Sequence, residues 1–121
     1  MYTVDDMKLV NLTPHTITVR RDDGSELTIK PSGQVARVTT RDQYAGELAH
    51  FRVPLYKREF GNVEDLPDPA DLTVYIVSSL VLEAVKQTTG RSDVVAPDTG
   101  PTAIRDDAGR IVAVTRFIVA E

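Results

Sequence analysis

The residues whose types and spacing could do chemistry are Ser78-Ser79, then Asp98-Thr99-Gly100, then Arg105. Hydroxyls, a carboxylate, a glycine and an arginine between apolar runs suit the holding of a small polar anion. Hydroxyl and guanidinium donors match phosphate or carboxylate oxygens, and glycine lets a backbone approach closely. Ser78 and Ser79 stand where an apolar run gives way to a helical pattern, and a helix start offers unpaired amides and a positive dipole end. Each stretch also has a plainer reading. The serines could simply cap the helix, and Pro97 to Pro101 could be a turn in which Asp98 closes on a local amide. Arg105 tips the second stretch toward ligand binding, because it interrupts a strand that otherwise reads Thr-Ala-Ile.

Asp98-Thr99-Gly100 is also the tripeptide that retroviral-type aspartic proteases place in their active site. The context differs here: Pro97 precedes it, Pro101 follows it, and only 21 of the 121 residues lie beyond Gly100. A paired-carboxylate mechanism needs two acids about 3 Å apart, and no second feature marks that geometry. His15 lies in phase with Ile17 and Val19, which predicts a half-buried ring. No Gly-x-Ser-x-Gly elbow, glycine-rich phosphate loop before a lysine, or dinucleotide fingerprint is present. With no cysteine and two histidines, zinc–thiolate and three-histidine zinc sites are excluded. The sequence therefore predicts a binding protein with no catalytic residues, no metal and no cofactor.

Arg37, Arg52 and Arg116 each interrupt an apolar alternation, so each either points outward or meets a carboxylate or a ligand phosphate. Tyr56 and Tyr75 could stack on a base or pack in a core. Ten of the fourteen cations are arginine, yet the net charge is −4. That balance fits a few local anion sites inside an acidic protein and disfavours a nucleic-acid polymer, whose backbone demands a dense basic surface. Asp5 and Asp6 stand where a secretory signal would carry basic residues, and no 18-residue apolar run occurs. The expectation is a cytoplasmic protein that does not contact the membrane.

The elements that must position these residues follow from periodicity. Residues 1–121 read as a single small α+β domain. An N-terminal antiparallel β-meander is predicted from Met7 to Thr39, with Asp22-Asp23-Gly24-Ser25 as a hairpin turn. Phe51 to Tyr56 reads as a strand confined by Pro54 to an edge or bulge, and Gly61 to Asp71 as a loop. One central helix opens at Ser78 or Ser79, buries Leu80, Val81, Ala84 and Val85, and ends at Gly90. A C-terminal β-hairpin pairs Thr102–Ile104 with Ile111–Val119 across Asp106–Arg110. Ile111 to Val119 is apolar on both faces, so the helix, a loop or another subunit must cover it.

Three stretches together resemble a set of small phage and prophage proteins: Leu9-Val10-Asn11-Leu12-Thr13-Pro14-His15, Tyr75-Ile76-Val77-Ser78, and Asp93 to Pro101 followed by Arg105. The chain resembles the Thoeris anti-defence sponges of the first kind. The resemblance implies a symmetric homo-oligomer that sequesters a cyclic nucleotide signal, a cyclic ADP-ribose isomer, without cleaving it. Some such proteins also hold cyclic di- or trinucleotides, which the lack of a strongly basic loop here disfavours. Transferred to this chain, the resemblance makes Arg58, Tyr75, Ser78, Asp98 and Arg105 ligand contacts, and Thr99 and Gly100 join them from the loop chemistry. The alternative from another class is a small structural or adaptor assembly protein with no small-molecule ligand.

Overall fold

A computed structural model describes residues 7–121; the acidic pair Asp5-Asp6 lies outside them. The described residues form an α+β arrangement of one helix and ten strands. Four short strands build the central sheet, in the order β1 (Lys8–Asn11), β6 (Thr73–Ile76), β7 (Val94–Pro97), β10 (Phe117–Val119). β1, β6 and β7 run parallel, with Asn11 level with Ile76 and Ile76 level with Val95, while β10 pairs antiparallel to β7. The single helix α1 (Ser79–Thr88) connects β6 to β7.

Both faces of this sheet are covered, which is why Thr73-Val74-Tyr75-Ile76 is buried throughout. Alternation along β6 and β7 divides the side chains. Tyr75, Val77, Val94 and Ala96 pack with Val81, Leu82 and Val85 of α1. Ile76 packs on the other side, with Ile17, Val19, Ile29 and Val114. The second cover is the hairpin of β2 (Ile17–Arg20) and β3 (Glu26–Ile29), turning at Asp22–Ser25 as its sequence predicts. A strand covered on both faces reads as a continuous apolar run, as a parallel strand should.

The helix begins where Ser78 marks it: the Ser78 hydroxyl accepts the Val81 amide at 3.3 Å. It ends at Thr88, with Gly90 beyond the cap at φ +58°, a left-handed conformation that favours glycine. Leu80, assigned to the buried helix face on periodicity, is 42% exposed and lines a cleft beside the base of the β4–β5 hairpin.

Three expectations change. The N-terminal strands do not form one continuous meander, because β1 leaves the β2–β3 hairpin and pairs with β6, whose apolar run it helps to cover. The segment from Arg37 to Glu64 forms a separate antiparallel hairpin of β4 (Arg37–Leu48) and β5 (Val53–Glu64), twelve residues per strand, absorbing part of the expected loop. Only its base touches the core, through Val38 and Val63. Finally, Ile111–Val119 is two short strands, β9 (Ile111–Ala113) and β10. β9 pairs with β8 (Ile104–Arg105), and the break at Thr115-Arg116 sends β10 into the central sheet.

Candidate ligand-binding rim

The polar motifs converge at one end of the central sheet. Asn11 ends β1 and leads into Thr13-Pro14-His15; Ile76 ends β6 and leads into Ser78; Pro97 ends β7 and leads into Asp98-Thr99-Gly100. All three segments leave the carboxyl ends of parallel strands, the edge at which open α/β sheets place their ligands.

Two clefts open along this rim, with the turn from Thr13 to Thr16 as the ridge between them. One, of about 310 Å³, has Ile17, Val112 and Pro97 as apolar walls and His15, Thr16 and Thr99 as polar ones. The other, of about 410 Å³, lies between α1 and the base of the β4–β5 hairpin, and is lined by Thr13, Pro14, Arg37, Ser78 and Leu80 among others. Ser78 and Leu80 border that second cleft where α1 begins, and the first amides of a helix lack intrahelical acceptors. Ion pairs among the described residues use Arg20, Arg41, Arg58, Arg91, Arg110 and Arg116; Arg37 is in none of them.

The ridge is pinned by Asn11, whose side chain is fully used. Its Nδ2 donates to the carbonyls of His15 at 2.8 Å and Ile29 at 3.1 Å, and its Oδ1 accepts the Thr13 amide at 3.0 Å and the Thr13 hydroxyl at 2.7 Å. One buried amide thereby ties the end of β1 to its own turn and to the end of β3. His15 itself is exposed, because its chain has not yet entered β2; the half-buried ring expected from phase does not occur.

The loop after β7 is held as firmly. Asp98 is buried and accepts Arg116 Nε at 2.7 Å, the Gly100 amide at 3.0 Å and the Thr102 hydroxyl at 3.3 Å. The Arg116 guanidinium, followed by the Gly100 amide, holds the Asp98 carboxyl below the usual carboxylate range. A carboxylate so engaged is an anchor for its loop. It leaves Thr99 exposed at the first cleft. Arg105 donates to the Gly109 carbonyl at 2.7 Å and the Thr99 carbonyl at 3.3 Å, joining the β8–β9 turn to the same loop.

Of the residues singled out in sequence, Asp98, Thr99, Gly100 and Arg105 are thus brought together, and Ser78 stands at the neighbouring cleft. Tyr75 and Arg58 are elsewhere. Tyr75 is buried in the core, its hydroxyl donates to the Asp68 carbonyl at 3.3 Å, and the Arg91 guanidinium sits 5.9 Å from its ring centre. Arg91 is fixed there by a two-pronged pair with Asp93 at 2.9 and 2.8 Å, which lowers the Asp93 pKa and raises that of Arg91. Arg58 lies on the β4–β5 hairpin, paired with Asp42 across the strands at 3.0 Å. In the sequence Asn11 stands out only as part of a polar turn and of the Leu9 to His15 stretch, with no site role assigned, and Arg37 is open between an outward position and a carboxylate or phosphate partner. A buried asparagine carries no local signal, whereas Arg37 was visible as a charge heading a strand.

Comparison with known proteins adds no relative: no family model matches the chain, and no curated protein or solved structure is significantly similar to it. No helix of the described residues is long and apolar enough to cross a membrane, and no group of three or more His, Asp or Glu among them could hold a metal ion.

Proposed function

We propose that the protein captures a cyclic nucleotide signal at this rim and holds it without cleaving it, as a phage-type immune-evasion protein acting in the host cytoplasm. The observation that supports the reading is the convergence of three separate polar segments at the carboxyl ends of three parallel strands, beside a helix start and an arginine free of ion pairs. In this reading the Ser79 and Leu80 amides and Arg37 meet phosphate oxygens, charge-assisted contacts that a helix start and a guanidinium supply well. The apolar walls of the two clefts take the base and ribose faces, and Thr99 and Arg105 border the ligand from the loop after β7. Asp98 keeps that loop in place and moves no proton, since its oxygens already accept three hydrogen bonds.

The test is retention followed by release. The protein is incubated with cyclic ADP-ribose isomers, separated from free ligand and heat-denatured, and the supernatant is read by mass spectrometry. Stoichiometric recovery of unchanged cyclic nucleotide is expected. A linear product would make the protein an enzyme, and no recovery would favour the second reading, a structural or adaptor assembly protein. One observation favours that alternative: the exposed apolar side chains of the β4–β5 hairpin.

A further inference from the structure

An arginine stands directly opposite an acid at four places in the described hairpins. Arg20 faces Glu26 between β2 and β3, and Arg41 faces Glu59, Arg58 faces Asp42 and Arg37 faces Glu64 along the β4–β5 arm. Opposite residues of antiparallel strands lie close enough for such side chains to meet. Three of the four close into ion pairs, at 2.9, 3.1 and 3.0 Å. The fourth stays open: among the described residues neither Arg37 nor Glu64 belongs to an ion pair. Exposure does not explain the difference, because Arg41 and Glu59 are 75% and 48% exposed and pair nonetheless.

What sets the fourth pair apart is its place. Arg37 and Glu64 form the base of the arm, and both line the cleft of about 410 Å³ that also holds Thr13 and Ser78. The backbone beneath them is fixed. Val38 and Val63, the next pair in register, pack on the core. The Ala36 amide donates to the Leu12 carbonyl at 3.0 Å, and Gln34 Nε2 donates to the Asp65 carbonyl at 3.0 Å, tying the residue pair before β4 to the end of β1 and to the residue after β5. Two opposite charges are thus held at one cleft by a rigid frame and are not spent on each other.

An open pair of this kind is matched by a ligand that carries an anion and a hydrogen-bond donor side by side. The guanidinium fork of Arg37 suits phosphate oxygens. Glu64, when ionised, can only accept, and it repels a bare phosphate, so the group it meets must donate. In a nucleotide the donors nearest a phosphate are the ribose hydroxyls, and a carboxylate is the group that dinucleotide sites set against them. We propose that Glu64 is the ribose-reading residue of this cleft. It accepts from a ribose hydroxyl while Arg37 holds the adjoining phosphate, so the site takes ribonucleotides and discriminates against both deoxyribose analogues and free polyphosphate. This inference rests on the capture of a cyclic nucleotide at the rim and adds the residue that selects it.

The experiment is calorimetry on the full chain with cyclic ADP-ribose, with analogues of it lacking one hydroxyl on one or the other ribose, and with inorganic pyrophosphate. The wild type should bind the parent roughly tenfold more tightly than at least one deoxy analogue, the effect of leaving a charged acceptor without its donor. Glu64→Ala should erase that preference. Glu64→Gln, which removes the charge and keeps an acceptor, should retain part of the preference and bind pyrophosphate more tightly than the wild type does. A purely structural role for Glu64 would instead weaken every probe together, and an unchanged urea midpoint shows that each variant has folded. Equal binding of parent and analogues by the wild type, or a preference that survives in folded Glu64→Ala, overturns this inference and leaves nucleotide capture standing. A wild type that binds no cyclic nucleotide overturns both.

Discussion

The central sheet and the β4–β5 arm use the same extended backbone in opposite ways. Strand β6 spans four residues and all are buried; β4 and β5 span twelve each and bury none fully. In the sheet, side chains on both faces meet α1 or the β2–β3 hairpin, so burial within one chain makes it stable. In the arm, order comes from cross-strand pairs, including Arg41–Glu59 and Asp42–Arg58, and such exposed ion pairs contribute little each. The contrast separates strands stabilised by burial from strands held by exposed cross-strand pairs.

The largest effect should come from breaking the buried side of that contrast. Ile76 has no exposed surface and packs against both β2 and β3, so Ile76→Ala is expected to lower unfolding free energy by about 4 kcal/mol, measured by urea titration. A smaller but still large loss, about 3 kcal/mol, is expected for Asn11→Ala, because buried carbonyls, an amide and a hydroxyl lose their partners together. Arg37→Ala should leave stability unchanged yet weaken retention of a cyclic ADP-ribose isomer by roughly tenfold or more, the worth of a charge-assisted contact. Equal loss in Arg58→Ala, monitored by calorimetry, would move the ligand from the rim to the arm. Phe51→Ser should change the stability of the body by less than about 0.5 kcal/mol, since the ring is exposed; a large drop in melting temperature would mean the arm and the body fold as one unit.

Acid provides the finest probe. Asp98 and Asp93 are held below their ordinary carboxylate pKa by Arg116 and Arg91 respectively. A depressed folded pKa gives stabilisation that is fully present above the unfolded value, near 3.9, and disappears as pH falls through the lower folded value. Stability should therefore be flat between pH 7 and 5 as far as these two groups are concerned, and fall below about pH 4. Asp98→Asn should shrink that acid-dependent part, and an unchanged profile would show that the loop after β7 is held by something other than its carboxylate.

The sequence disclosed local features well and partners poorly. Period-two residues and Asp22-Asp23-Gly24-Ser25 reveal the β2–β3 hairpin, and Ser78 with Gly90 brackets α1, because these signals lie within a few residues of the structures they specify. The pairing of β1 with β6 joins segments more than sixty positions apart, and neither strand encodes its neighbour. The arm is legible only in part for a different reason: Phe51 to Tyr56 reads as a strand that overlaps the start of β5, but a ribbon touching the core only through Val38 and Val63, with Arg41-Asp42-Gln43 along β4, gives little signal for its full twelve-residue length. At the site, hydroxyls and charges were visible as types. Tyr75 shows what types leave open, since only the three-dimensional arrangement places its ring beneath Arg91 instead of beside a ligand.

The Asn11 network has a kinetic consequence. Because one side chain locks the turn dividing the two clefts to both β1 and β3, the rim is shaped before anything arrives, and little freedom remains there to be lost on binding. Capture at such a rim need not wait for a loop to close. If the rim captures a ligand as proposed, association would proceed at the rate of encounter, and residence time, set by how many contacts must break at once, would decide how long the ligand is held.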